Sequence, residues 1–331
     1  MNKRKKILFI GGSLNQTTML HKVSKHFPGC DCYFTSYYTS GYLWFIVRTG
    51  IINFTILGGK HKQRTDNYIL GGKHKQRTDN YIKENKLNFD YEGRNDDYDL
   101  VVTCSDLIIP KNIRNKKIIL VQEGMTDPPN FFYYLSKYIK FPRYFASTST
   151  TGMSDAYIAF CVASEGYKIH FVKQGCKPEK IYVTGIPNYD NCTEYLNNSF
   201  PHKDYVLVCT SDSRETWKYE NRKKFVRYCR DIARGRQIIF KLHPNEIYRR
   251  AAKEIKKEVP SALVYSIGDT NEMVANCSVL ITTWSTVIYT GLVLGKEVYS
   301  SFDVEELRKM VPLQNGGISD KNIAEVIGKY L

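Results

Sequence analysis

Long apolar runs are missing from these 331 residues. No stretch reaches the ~20 consecutive apolar residues that a helix needs to cross a bilayer. Metal-ligand spacings are missing as well. The nine cysteines stand singly apart from Cys30-Asp-Cys32, and no Cys-x-x-Cys pair or His/Cys cluster is present. That pattern argues against a zinc site and a disulfide framework, and reads as reduced, mostly buried thiols in a cytoplasmic chain. Met1-Asn-Lys-Arg-Lys-Lys runs into a short strand and then glycines, which does not read as a signal peptide. Zinc-finger, RNP-type and basic-zipper motifs are absent, so nucleic acid ranks low as a partner. Negative charge is also scarce: 33 Asp and Glu stand against 48 Lys and Arg, a formal net charge of +15. Such an excess fits an anionic partner, with anionic lipid headgroups and sugar-nucleotide phosphates as candidates, or a plain solvated surface.

What is present is a series of apolar strands running into polar turns. Val279-Leu-Ile281 is a short run of buried-strand type. Thr282, Thr283, Ser285 and Thr286 follow where a helix is expected to start, the usual place for capping hydroxyls. Val287, Ile288, Gly291, Leu292 and Leu294 supply a helical stripe, and Gly295 its stop. A strand feeding such a helix presents N–H groups and a positive dipole end to an anion. Upstream, Ile238-Ile-Phe-Lys-Leu-His-Pro-Asn-Glu246 is a second strand, ended by Pro244. It leaves the His243 imidazole at a carboxyl strand end, where open α/β sheets bind ligands.

The amino-terminal half alternates in the same way. Lys6–Ile10 reads as a strand, Gly11-Gly12-Ser13 as a tight turn without the full dinucleotide fingerprint, and the residues to about Phe27 as a helix. Tyr98–Cys104 and Lys117–Val121 read as buried strands. The second exits into Gln122-Glu-Gly-Met-Thr-Asp127, where an α/β enzyme would place a carboxylate base. Asp97-Tyr98-Asp99 enters a strand rather than leaving one, so it reads as a solvated acidic turn and not a metal site. Tyr42–Ile56 is the most apolar stretch of this half, expected as a core helix or an interfacial patch. Directly after it, Ile56–Tyr68 recurs unchanged as Ile69–Tyr81. One perfect copy is a duplication rather than a solenoid, and its Lys, His and Arg behind Gly-Gly predict an exposed basic excursion.

The His243-Pro244 and Ser285-Thr286 pair resembles the carboxyl-terminal domain of GT-B-type glycosyltransferases, especially capsule, sialic-acid and Kdo transferases. Gly175-Cys-Lys-Pro-Glu-Lys-Ile-Tyr-Val-Thr-Gly-Ile-Pro187 resembles a hinge-leading strand shared by those enzymes and UDP-N-acetylglucosamine 2-epimerases. The resemblance implies an α/β chain of two Rossmann-like domains facing across a cleft. The expected division is 1–187 as acceptor domain, 188–203 as linker, 204–310 as nucleotide-sugar domain, and 311–331 as a carboxyl-terminal helix crossing back. It further implies a nucleotide-sugar donor held by Gly185, Ser211, Arg214, His243, Pro244, Glu246, Thr283, Ser285 and Thr286. Gly12 and Ser13 fall on the acceptor side. Glu123 matches the acidic-Gly motif whose carboxylate is the catalytic base, with Asp127 as substitute.

These expectations favour glycosyl transfer onto a cell-surface polysaccharide or lipid-linked glycan, with no metal and no further cofactor, on the inner face of the membrane. The alternatives are an epimerase-like enzyme and a non-catalytic polyanion binder. The epimerases carry a His-Arg-Arg-Glu-Asn-type motif where this chain has Thr210-Ser-Asp-Ser-Arg-Glu-Thr216, without histidine. A polyanion binder leaves the strand-exit residues without a purpose.

Overall fold

Strands rich in Val, Ile, Leu and Phe on both faces stay out of water only in a parallel sheet covered by helices on each side. A computed structural model, describing residues 4–42, 73–95, 97–211, 213, 220–283 and 285–331, has two such sheets. Contacts divide the chain into one unit of Met1–Asp190 with Asn315–Leu331, and a second of Asn191–Gln314.

The first unit runs β1 (Lys6–Gly11), α1 (Leu14–Ser24), β2 (Asp31–Ser36), α2 (Lys73–Glu84), β3 (Asn88–Phe89), β4 (Leu100–Thr103), β5 (Lys117–Val121), α3 (Phe131–Ile139), β6 (Ala159–Val162), α4 (Glu165–Gln174) and β7 (Ile181–Val183). Its seven strands lie in the order β3-β2-β1-β4-β5-β6-β7, and every pairing is parallel. Ile7–Ile10, Leu100–Val102 and Ile118–Val121 are sealed from solvent. At about 1.5–3 kcal/mol for each large apolar side chain buried, these central strands dominate the hydrophobic stabilisation.

The second unit runs β8 (Val206–Cys209), α5 (Arg222–Ala233), β9 (Ile238–Lys241), α6 (Tyr248–Glu258), β10 (Leu263–Tyr265), α7 (Thr270–Asn276), β11 (Val279–Thr282), α8 (Ile288–Val293), β12 (Glu297–Ser300) and α9 (Val304–Lys309). The sheet order is β10-β9-β8-β11-β12, again parallel throughout. Strand alternation sends Val206, Val208, Val279 and Ile281 against Val226, Cys229 and Ile255 on one face. Leu207, Leu280 and Cys209 meet Met273, Val274 and Val287 on the other.

The last helix, α10 (Ser319–Gly328), packs in the first unit. Its Ile323 and Ile327 are fully buried, the Ser319 N–H donates to Asp190 Oδ2 at 2.8 Å, and the Tyr182 and Tyr330 hydroxyls meet at 2.8 Å.

One expectation fails. The described part of the second repeat copy is not an exposed excursion: it forms α2, which packs on α1 and β2. Lys75, Thr78, Asp79 and Ile82 fall at i, i+3, i+4 and i+7, the spacing of one helical face, and Thr78 and Ile82 are fully buried. The Thr17 hydroxyl donates to Thr78 Oγ1 at 3.3 Å, and the Tyr81 hydroxyl meets His21 Nδ1 at 2.9 Å. The polar composition concealed the stripe. The first copy and Leu43–Ile56 of the apolar stretch lie outside the described residues. The division between the units falls within the stretch 188–203, where Cys192 is fully buried and Asn198 Oδ1 accepts from the Asn276 amide at 2.6 Å.

Candidate functional sites in the two units

In a doubly wound sheet the strand order reverses at one point, and the loops leaving the two strands there diverge to open a crevice. The reversal falls between β1 and β4 in the first unit and between β8 and β11 in the second.

At the first reversal, Gly11 ends β1, and a Cβ there would lie 2.4 Å from Thr17 Oγ1, so only glycine lets α1 start this close to the strand. Ser13 is the N-cap of α1: its hydroxyl accepts the Gln16 N–H at 3.2 Å and donates to Glu123 Oε1 at 2.9 Å. The Gln16 amide accepts from Gly12 N–H at 2.6 Å and donates to Glu123 Oε2 at 2.5 Å. Each carboxylate oxygen of Glu123 thus has one donor from the start of α1. The loop before it is pinned by buried Gln122, whose Oε1 accepts the Ala163 N–H and whose amide donates to Gly124 O.

Burial raises the Glu123 pKa and outweighs the opposing hydrogen bonds from Gln16 and Ser13. Cys104 lies close by, its thiol pushed well above the usual range first by burial and then by the Glu123 charge. A half-buried carboxylate held in one orientation, with its pKa raised, is a stronger proton acceptor than an exposed glutamate. Asp127 is engaged elsewhere: its N–H donates to Thr148 Oγ1 and its Oδ2 accepts that hydroxyl proton, at 2.8 and 2.9 Å.

At the second reversal, hydroxyls converge from both strands. Ser211 and Ser213 follow β8, are nearly buried, and share a hydrogen bond at 2.9 Å; Thr283, after β11, donates to Ser211 Oγ at 3.4 Å. A cleft of about 420 Å³ adjoins this cluster, walled by Ser213, Thr283, Lys224, Phe225, Tyr228 and Tyr299.

His243 is half-buried at the exit of β9. Its backbone N–H donates to Thr210 Oγ1 at 3.2 Å and Glu246 Oε2 at 3.0 Å, and the Asn245 N–H donates to His243 Nδ1 at 3.2 Å. With Nδ1 accepting, the neutral ring carries its proton on Nε2, making that atom a donor suited to a phosphate oxygen. The Glu246 side chain is wholly buried, held by Arg222 Nη2 at 2.5 Å and by the Thr210 hydroxyl. Arg222 is itself buried and also pairs with Glu220.

Several expected donor contacts therefore have other tasks. Glu246 is a staple that fixes the His243 turn, because Arg222 takes up its Oε1 while the Thr210 hydroxyl and the His243 N–H take up its Oε2. Gly185 is a packing position: φ is +75°, and a Cβ there would sit 2.2 Å from Ser319 Oγ. The turn after β11 departs from the expected capped helix start, since the N-cap of α8 is Val287 and makes no side-chain cap bond. Ser285 instead accepts the Val287 N–H at 3.4 Å, and the Thr282 hydroxyl is buried with no hydrogen-bond partner among the described residues. Pro244 is exposed and Thr286 half-buried beside these groups, whereas Arg214 lies outside the described residues. Sequence reasoning missed Gln16, Thr210 and Arg222. Gln16 had a signal, the Ser-x-x-Gln spacing from Ser13 that marks a capping box. Nothing local marks the pairing of Arg222 with Glu246, 24 residues away.

Solved structures match nearly the whole chain. A UDP-GlcNAc 2-epimerase from Neisseria meningitidis bound to UDP-GlcNAc aligns with TM-score 0.56 at 12% identity, over 98% of this chain and 100% of that one. The S. aureus MnaA–UDP co-structure gives 0.56 at 15%, over 98% and 96%. The wall teichoic acid polymerase TagF, soaked with CDPG, gives 0.52 at 13%, over 99% and 88%. No protein-family model and no curated protein matches. The two Rossmann-like units thus make up the fold shared by GT-B enzymes and these epimerases.

Proposed function

We propose that this chain is a glycosyltransferase that moves a sugar from a nucleotide-sugar donor to a hydroxyl of a cell-surface polysaccharide or lipid-linked glycan, without a metal ion, at the cytoplasmic face of the membrane. The observation that carries the reading is Glu123, a carboxylate of raised pKa oriented by Ser13 and Gln16 at the sheet reversal. Support for the donor half comes from the His243 and hydroxyl cluster of the second unit, and from the UDP-GlcNAc, UDP and CDPG named for structures of the same fold.

In this reading Glu123 takes the proton of the acceptor hydroxyl as its oxygen bonds to the anomeric carbon. The bond from that carbon to the phosphate oxygen breaks, and the electron pair leaves with the nucleotide. His243 Nε2–H and the hydroxyls of Ser285 and Thr286 meet the charge that builds on the phosphate. Ser211 and Thr283 hold the floor of that site, and Gly12 with Ser13 borders the acceptor hydroxyl.

The epimerase reading has the matched epimerases in its favour. Against it, the segment after β8 presents hydroxyls from Thr210, Ser211 and Ser213, with no histidine up to Thr216 to serve elimination and re-addition. The test is a thermal-shift screen of CMP, CDP, UDP and GDP and their sugar conjugates, followed by incubation of the stabilising donor with and without glycan acceptor. A ligand at a hundred times its Kd adds about 2.7 kcal/mol of stability. Acceptor-dependent release of nucleotide supports transfer; acceptor-independent formation of an epimeric sugar nucleotide overturns it in favour of epimerisation. A chain that binds no nucleotide yet binds polyanions is a non-catalytic binder.

A further inference from the structure

The nine-residue helix α3 has its apolar face turned outward. Tyr133 and Ser136 point into the first unit and are nearly buried, whereas Phe131, Tyr134, Tyr138 and Ile139 are 70%, 51%, 74% and 66% exposed. Residues 131, 134 and 138 fall on one helical stripe. A helix that needed burial against its own sheet would present these side chains inward, and a soluble monomer rarely leaves so many large apolar groups together in water.

The platform beneath them is built. Phe132 stacks on Phe141 with ring centroids 6.0 Å apart and meets Phe145 at 5.8 Å, and Phe141 and Phe145 meet at 5.1 Å. Asn130 caps the helix by accepting the Tyr133 N–H. Arg143 fixes the following segment by donating to buried Asp106, leaving Lys137 and Lys140 as the outward cations. Neither lysine forms an ion pair with a described residue, and residues 128–154 contain no Asp or Glu at all. Aromatic side chains beside unneutralised lysines match the boundary of an anionic bilayer, where rings sit at headgroup level and ammonium groups meet lipid phosphates.

We infer that α3 is a docking surface for anionic lipid bilayers. The inference stands apart from glycosyl transfer, because adsorption to vesicles needs neither donor nor acceptor. Charge complementarity decides for lipid over a second copy of the chain: at +15, two copies meeting through this acid-free face would bring like charges together.

The test is flotation of the full chain with vesicles of phosphatidylcholine and phosphatidylglycerol in equal parts, against phosphatidylcholine alone, at low and high salt. The expected result is preferential binding to the anionic vesicles, weakened by salt. Two variants at exposed positions divide the surface: Phe131→Ser with Tyr134→Ser and Tyr138→Ser, and Lys137→Glu with Lys140→Glu. Each is expected to weaken anionic-vesicle binding by about tenfold or more. Their melting curves and nucleotide thermal shifts, read on the same samples, are expected to match the wild type. Unchanged vesicle binding in both variants overturns the inference. So does a wild type that ignores anionic vesicles, or an aromatic variant whose only change is from dimer to monomer in sedimentation velocity, which would make α3 a contact between copies.

Discussion

Replacing Glu123 by Gln retains size and one carbonyl acceptor but removes the proton acceptor. Its neighbours are known donors, the Ser13 hydroxyl and the Gln16 amide, so a glutamine there keeps at most one of the two contacts without rearrangement. If Glu123 is the base, turnover falls by roughly 10²–10⁴, or about 2.7–5.4 kcal/mol of transition-state stabilisation. Nucleotide affinity, measured by thermal shift, stays unchanged. A companion variant separates base from scaffold. Gln16→Ala removes a hydrogen bond that favours the ionised carboxylate, so the Glu123 pKa rises further. Because the base works only when ionised, rate is lost as pH falls through that pKa. The acid limb of kcat/KM therefore lies above the ordinary glutamate range in the wild type, and higher still in Gln16→Ala. The assay is nucleotide release with acceptor present, across a pH series. Full turnover in Glu123→Gln, or an acid limb unmoved by Gln16→Ala, refutes the reasoning.

Arg222→Ala strands the buried Glu246 carboxylate, which costs about 3–5 kcal/mol in urea unfolding; an unchanged midpoint would show that water reaches that carboxylate. His243→Ala, at a half-buried position, is expected to weaken nucleotide binding and turnover together while leaving stability nearly unchanged, and retained nucleotide affinity would remove His243 from the donor site. The stability contribution of Glu123 has the sign of a raised carboxyl: present below its unfolded pKa and lost as pH rises through the folded one, so Glu123→Gln flattens the stability–pH curve in that window.

Most strands were legible because their signal is local. Val279-Leu-Ile281 or Lys117–Val121 must be buried on both faces, and a run of apolar residues between turn formers states that directly. The positions of Glu123 and His243 were legible for a related reason, since a polar residue just past such a strand lands at the sheet's carboxyl edge. What stayed hidden were buried polar staples. Glu246 stands in the right segment for a ligand, yet its partner Arg222 lies far along the chain, and the close packing of Gly185 against Ser319 is hidden for the same reason. The stripe of α2 was hidden because two of its four inward residues are Lys75 and Asp79, which pattern reading counts as polar although burial raises the Asp79 pKa.

The repeat turns that failure into a sharper prediction. Ile56–Tyr68 is followed by Ile69, as Ile69–Tyr81 is followed by Ile82, so the first copy offers the α2 groove the same Thr, Asp, Tyr and Ile. Deleting Ile69–Tyr81 joins Tyr68 to Ile82 and regenerates the helix sequence without a scar; stability is expected to stay within about 1 kcal/mol of the full chain. In the full chain the second copy has two advantages for that groove. Using the first would add thirteen residues to the short connection into β3, a loop-closure cost of about 1 kcal/mol net of the shorter segment upstream. It would also replace Lys83-Glu84 by Leu70-Gly71, and glycine in a helix costs about another 1 kcal/mol. The copies therefore differ by only about 2 kcal/mol, less than the cost of a large side chain or charge forced into a sealed site. Thr78→Arg, which places a cation where the side chain is now fully buried, tests this. In the full chain its cost is expected to stop near 2 kcal/mol, because the unaltered first copy takes the groove. Introduced at the equivalent Thr65 of the deletion variant, which has no spare copy, the same change is expected to cost well above that. Equal losses in the two backgrounds, read by urea unfolding, would show that only the second copy can fill the groove.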